Sequence, residues 1–200
     1  MRVSREQATE NRRRIVATAA ALFRERGLDG VSIADVMNAV GLTSGGFYKQ
    51  FESKEALALE ACSIGLAESV AALHATAAEA KEAPLRTVVE AYLSAEHRDR
   101  SGSGCTLSAL AADAGRGGLE MQRVFADGAA QMAEALAEIA GKAAGTAGHG
   151  DKAAYPDFTL LVNMVGAVVL ARAVDGADPA LADHILSGAI EHIAASEDLV

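Results

Sequence analysis

Between Gly27 and Leu57 the chain starts and stops helices in quick succession, and this punctuation limits the fold more than any other feature of the sequence. In "VSIADVMNAVGLTSGGFYKQFESKEAL", Ser32 stands where a helix N-cap would accept a backbone hydrogen bond. Asp35, three residues on, completes a short variant of the capping box. Ile33, Val36, Met37 and Val40 recur at helical spacing, and Gly41 ends the segment. Thr43 or Ser44 then caps a very short helix in which Phe47 and Phe51 lie one turn apart and face inward. Ser53 opens a much longer one, "KEALALEACSIGLAESVAALHATAAEA", with Leu57, Ile64 and Leu73 in its apolar stripe. Upstream, "ENRRRIVATAAALFRER" places Ile15, Ala19, Leu22 and Phe23 on one face with the arginines mostly off it, and Gly27 supplies the stop. A helix, a turn and a short helix opening with small polar residues form the layout of a helix-turn-helix. The same pattern would also suit a helical corner in a bundle, with Gly45 and Gly46 serving close packing.

The rest of the chain points to the same fold class. Half of its residues are hydrophobic, only three are proline and alanine is abundant, which favours helices over strands. Helical segments are expected near 84–98, 105–114, 119–144, 154–174 and 179–195. They are separated by "RDRSGSG", "GRGG", "GTAGHGDK" and "DGADP", and the stretch from Gly145 to Lys152 reads as a mobile loop. The most apolar run, "LLVNMVGAVVLARAV" from Leu160 to Val174, is short for a bilayer and holds Asn163 and Arg172, so it reads as a buried helix and no membrane partner is expected. The N-terminus has no apolar signal region, and Cys62 and Cys105 are the only cysteines; both point to the cytoplasm rather than secretion.

The chain carries a formal charge of -9, which taken alone argues against a nucleic-acid partner. Charge is unevenly divided, however: residues 1–55 hold nine Lys or Arg against seven Asp or Glu, a net of +2, which leaves -11 for the remainder. A positively biased first quarter on an acidic remainder suits one part that meets a polyanion and one that does not. The candidate DNA contacts are Ser32, Thr43, Ser44, Gly45, Gly46, Tyr48, Lys49 and Lys54. The glycines keep no side chain between backbone and DNA, the hydroxyls meet base edges or phosphates, and Lys54 grips the backbone. The arginine-rich start is expected to add backbone attraction.

These residues carry a resemblance. "RRRIVATAAALFRERGLDGVSIADVMNAVGLTSGGFYKQFESKEAL" resembles the DNA-binding domain of the TetR family of transcriptional regulators. Family members typically have Tyr-x-His-Phe followed by Ser-Lys-Glu; Tyr48, Gln50, Phe51, Ser53, Lys54 and Glu55 occupy those places, and Gln50 is the departure. The resemblance implies an all-α protein with a three-helix helix-turn-helix domain over residues 1–55 and a helical effector-binding and dimerisation domain over 56–200. It also implies a homodimer that binds a double-stranded, palindromic operator and is released by an effector, with the last two long helices forming the interface. Gly166, Ala167, Ala171, Gly188 and Ala189 are small enough for close helix contact there, although burial inside one subunit would demand the same composition. A helical dimer that binds small molecules without regulating DNA is the other function compatible with the chain.

An effector pocket would lie among the helices after residue 56, with Tyr92, Met121, Phe125 and Phe158 as candidate lining residues. If Ser103 caps the helix of "GCTLSALAADAG", Cys105 falls in its first turn, where the helix end would stabilise a thiolate. That stretch resembles a TetR branch that includes the N-ethylmaleimide-responsive repressor, in which the matching cysteine senses electrophiles. A buried, inert Cys105 is the alternative, and Cys62 reads as core. The five histidines lack metal-site spacing, and no metal or other cofactor is expected. His97-Arg98-Asp99 has no paired nucleophile or oxyanion donors, and the chain has no P-loop, nucleophile elbow or dinucleotide fingerprint, so it is not expected to be an enzyme.

Overall fold

The computed structural model describes residues 5–141 and 155–196, and among these the only regular secondary structure is helical. The expected loop from Gly145 to Lys152, with His149, lies outside the described residues; the helix expected over 119–144 ends at Ile139, ahead of a turn at Gly141 with φ +66°, and the one expected over 154–174 starts only at Thr159, residues 155–158 being non-helical. The helices are α1 (Arg5–Arg26), α2 (Ile33–Ala39), a 3-10 helix (Ser44–Lys49), α3 (Lys54–Glu79), α4 (Pro84–Tyr92), α5 (Ala95–Asp99), a 3-10 turn (Ser101–Ser103), α6 (Thr106–Arg116), α7 (Leu119–Ile139), α8 (Thr159–Asp175) and α9 (Pro179–Ser196).

The chain divides into two compact units, Met1–Gly65 with Ser101–Phe125, and Leu66–Arg100 with Ala126–Val200. The first unit reaches further along the chain than residue 55 because α1 and its following turn hold the later segment by hydrogen bonds. Arg24 donates from Nε to the Gly102 carbonyl at 2.8 Å, and the Leu28 amide donates to the Asp113 carboxylate at 3.1 Å. Its core is built on Ile15, Ala19 and Phe23 from α1, Val36 and Met37 from α2, Phe47, and Leu57, Ala61 and Cys62 from α3. Leu22 is only half-buried, and Ile64, expected in the α3 stripe, is 40% exposed. Leu57 and Leu73 are buried as expected, and Ala61 and Leu66 complete the α3 stripe in place of Ile64. This burial marks α3 as a core helix, although its length and apolar composition would suffice to cross a bilayer.

In the second unit the expected helix over 84–98 is broken in two. Leu93 leaves helical geometry, and Ser94 caps α5 by accepting from the His97 amide at 3.1 Å. The His97 ring nitrogen Nδ1 lies 2.6 Å from the Tyr92 carbonyl, Arg172 donates to the carbonyls of His97 and Arg98, and Arg98 pairs with Asp99, Asp175 and Asp183. His97-Arg98-Asp99 is therefore a structural clasp. Burial, the leading influence, moves the His97 pKa below its ordinary value.

α8 and α9 pack on each other, and each divides its apolar residues between two faces. Leu161, Met164, Ala167, Val168 and Ala171 of α8 are buried, with Ala182, Leu186 and Ile193 of α9. Val162, Val169, Leu170 and Leu181 are exposed, and a Cβ placed on Gly166 or Gly188 would meet nothing. Of the small residues expected at a helix contact, Ala167 and Ala171 thus pack within the subunit, whereas Gly166 and Gly188 face open space.

Candidate nucleic-acid interface

α2 begins as its sequence dictates. Ser32 Oγ accepts the Asp35 amide at 3.1 Å, and the Asp35 carboxylate accepts the Ser32 amide at 2.8 Å and its hydroxyl at 2.5 Å. These bonds, led by the hydroxyl, hold the Asp35 carboxyl below its ordinary pKa. Ser32 is thus first a cap, though it stays exposed. Ser32→Ala is expected to cost about 1 kcal/mol, read as a lowered urea midpoint; an unchanged midpoint would show that the box contributes nothing.

The turn after α2 is a Schellman motif. Gly41 sits at φ +71°, its amide donates to the Asn38 carbonyl at 3.0 Å, and the Leu42 amide donates to the Met37 carbonyl at 2.9 Å. Nothing lies within 4 Å of a Cβ at Gly41, so glycine is required there by its backbone angle and not by space.

The next element is a 3-10 helix, not the α-helix its spacing implied, and the Thr43 side chain makes no capping bond. That leaves the exposed Thr43 hydroxyl available to an outside partner, beside exposed Ser44 and Gly45. Close packing does not explain the paired glycines: a Cβ on Gly45 would meet nothing within 4 Å, and one on Gly46 would make only ordinary contact with Met37. Phe47 and Phe51 anchor the element from behind, stacked with centroids 5.5 Å apart, while Tyr48 is 69% exposed with its ring edge-on to Phe47. Lys49 is exposed on the same segment. Ser53 caps α3 through the Ala56 amide at 3.1 Å, which fixes half-buried Lys54 at the head of that helix.

A groove of about 580 Å³ brings Ser32, Ser44, Tyr48 and Lys54 together. It is also lined by Asp29 and Ala34, which the sequence did not single out, and by Ile33, which it read only as an apolar helix position. Thr43, Gly45, Gly46 and Lys49 lie on the same short element but outside this lining.

Within the arginine-rich start, Arg12, Arg13 and Arg14 are each engaged by neighbouring groups. Arg12 lies over the Phe51 ring, 4.1 Å from its centroid, donates to the Gln50 carbonyl and pairs with Glu60. Arg14 donates to the Val40 carbonyl at 2.9 Å, and Arg13 pairs with Glu10. Two of the three arginines therefore satisfy backbone carbonyls that precede and follow the short element, Val40 at the end of α2 and Gln50 after Lys49. At the unusual position, it is the backbone of Gln50 that makes the Arg12 contact.

With this geometry, the family comparison has a specific meaning: the profile described as "Bacterial regulatory proteins, tetR family" matches residues 15–61, which contain the capped helix, the glycine turn, the short element and the head of α3. Over residues 15–61 the chain is similar to regulators of the TetR family. An uncharacterised HTH-type transcriptional regulator of Bacillus subtilis, YerO, is 29% identical over 90 residues, 45% of this chain and 31% of that protein. The chain thus spans less than a third of that relative's length. Solved structures also match nearly the whole chain, two of which illustrate the likeness. One is a TetR regulator from Chloroflexus aurantiacus, 27% identical over 94% of this chain and 96% of that one, with a TM-score of 0.67. The other is reduced NemR from E. coli, 20% identical over 92% and 95%, with a TM-score of 0.70, a likeness of fold.

The effector candidates fall in both compact units. Met121 and Phe125 are buried in the first compact unit; Tyr92 is buried and Phe158 half-buried in the second. Tyr92 packs its ring on His97, with centroids 4.4 Å apart. Cys105 is not in the first turn of a Ser103-capped helix: Ser103 ends a separate 3-10 turn, and Cys105 is itself the N-cap of α6, with its side chain buried. Burial also pushes the Cys62 thiol up to about 11, which makes it an inert core residue.

Proposed function

We propose that the chain is a cytoplasmic, homodimeric transcriptional repressor that binds a palindromic operator through Ser32, Thr43, Ser44, Gly45, Gly46, Tyr48, Lys49 and Lys54. One observation carries this reading: a short element whose Gly45 faces open space and whose Phe47 anchors it from behind, beside the groove that collects Ser32, Ser44, Tyr48 and Lys54. Backbone and hydroxyls supply most of the close contact, and Lys49 and Lys54 supply phosphate attraction. Arg12 and Arg14 act by holding the element's edges rather than by touching DNA.

The 1–55 segment is proposed as the DNA-reading part and 56–200 as the effector and dimerisation part. Exposed apolar residues on α8 and α9 support a dimer, and a dimer is what a two-half-site operator requires, at about 34 Å per helical turn of DNA. A small molecule or electrophile acting on the later part, with Tyr92, Met121, Phe125, Phe158 or Cys105 as its contact, would shift a bound-to-released equilibrium. A differential affinity of about 2.7 kcal/mol inverts a tenfold preference.

The test is a salt titration of duplex binding, using DNA from upstream of the chain's own gene. Affinity should fall steeply with ionic strength, and Lys54→Ala should weaken binding to all sequences while lowering the log–log salt slope by about one. An unchanged slope would remove Lys54 from the phosphate contacts, and no gel shift under any salt condition would remove the repressor reading.

A further inference from the structure

We propose that a cavity in the first compact unit, adjoining the groove described above, is a binding site for a hydrophobic organic cation. The cavity measures about 390 Å³, at the small end of the range for ligand pockets. Three segments build it: the turn after α1, the first turns of α3, and the α6–α7 turn. Leu28, Ala58, Leu59 and Met121 give it an apolar lining, and of these Ala58 and Met121 are buried.

Charge selects the ligand class. Asp113 is already paired with Arg116 and accepts the Leu28 amide, so those two charges cancel. Lys54 then stands against Asp29, Glu55 and Glu120, an excess of two negative charges around an apolar lining. Glu55 stays ionised because its carboxyl is held below its ordinary pKa, mainly by a backbone hydrogen bond at the start of α3. An apolar body with a positive centre satisfies both features, whereas an anion of the same shape would meet two uncompensated carboxylates. Asp29 and Lys54 also line the groove, so an occupant of the cavity touches two residues of the DNA-facing surface.

Calorimetric titration of the full chain with tetraphenylphosphonium and tetraphenylborate, near-identical in shape and opposite in charge, tests the site without DNA. The cation should bind at least tenfold more tightly. The double variant Asp29→Lys/Glu120→Lys, both positions exposed, should weaken the cation by about tenfold or more and narrow the gap to the anion. Gly118→Trp, at a lining residue whose added Cβ would meet nothing, should obstruct the cavity in a folded protein. Equal binding of the two probes, or cation affinity unchanged in both variants, would overturn the proposal. Because the measurement uses free protein, its failure leaves the repressor reading intact, and a chain that ignores DNA could still pass it.

Discussion

Phe47→Ala is expected to destabilise the first unit by about 3–5 kcal/mol, a large share of the 5–15 kcal/mol that holds a typical domain together. Phe47 is fully buried and stacks on Phe51, so truncation removes the ring from the core and leaves a cavity bounded by side chains that relax only in part. The adjacent anchor would also suffer, because Arg12 rests on Phe51 while satisfying the Gln50 carbonyl. Urea unfolding followed by circular dichroism checks this, with Tyr48→Ala as the comparison. Tyr48 is exposed and contributes mainly an edge-on contact, so its loss should cost less than about 1.5 kcal/mol while still weakening DNA binding. Equal destabilisation by the two variants would mean that the short element is not anchored through Phe47.

This contrast also shows which parts of the fold the sequence made legible. Ser32, Ser53, Gly27 and Gly41 declare helix ends because capping and left-handed turns are satisfied within a few residues, and all four do what their neighbours imply. Phe47 and Phe51 face inward for the same local reason. Arg12 was not legible, since a charged residue in a polar run reads as solvent-facing. Its partner Glu60 lies 48 residues away and its aromatic support 39 residues away, contacts that no local pattern encodes. The inclusion of 101–125 in the first unit depends on Arg24 and Asp113 in the same way. The break before Ser94 did leave a signal, a hydroxyl residue three positions before His97, but an apolar period running from Leu85 to Leu93 outweighed it in the sequence. At the candidate interface, the residue types were readable while the groove was not, because Asp29 enters it from a turn whose position is set by Leu28 and Asp113.

The double substitution Val169→Asp/Leu170→Asp should convert the proposed dimer to monomers and lower operator affinity by about 10²-fold or more. Leu170 is 58% exposed and Val169 is 43% exposed, with Val162 on the same helix and Leu181 on α9. Replacing them therefore empties no core within the subunit, and the helical circular dichroism should survive. In a dimer the same residues become the centre of an apolar interface, where carboxylates without partners are costly to desolvate. The loss of DNA affinity follows from geometry: one subunit supplies one short reading element, and two joined subunits turn the second half-site contact into an intramolecular event at high effective concentration. Sedimentation velocity and an operator titration on the same samples separate the steps. Monomers with lost affinity would tie assembly to reading. Monomers that bind the full operator as tightly as wild type would show that one reading element suffices, and variant dimers would place the interface away from the α8–α9 face. Lys54→Ala should behave differently, leaving the dimer intact and changing the salt slope, so the two variants distinguish a lost phosphate contact from a lost partner.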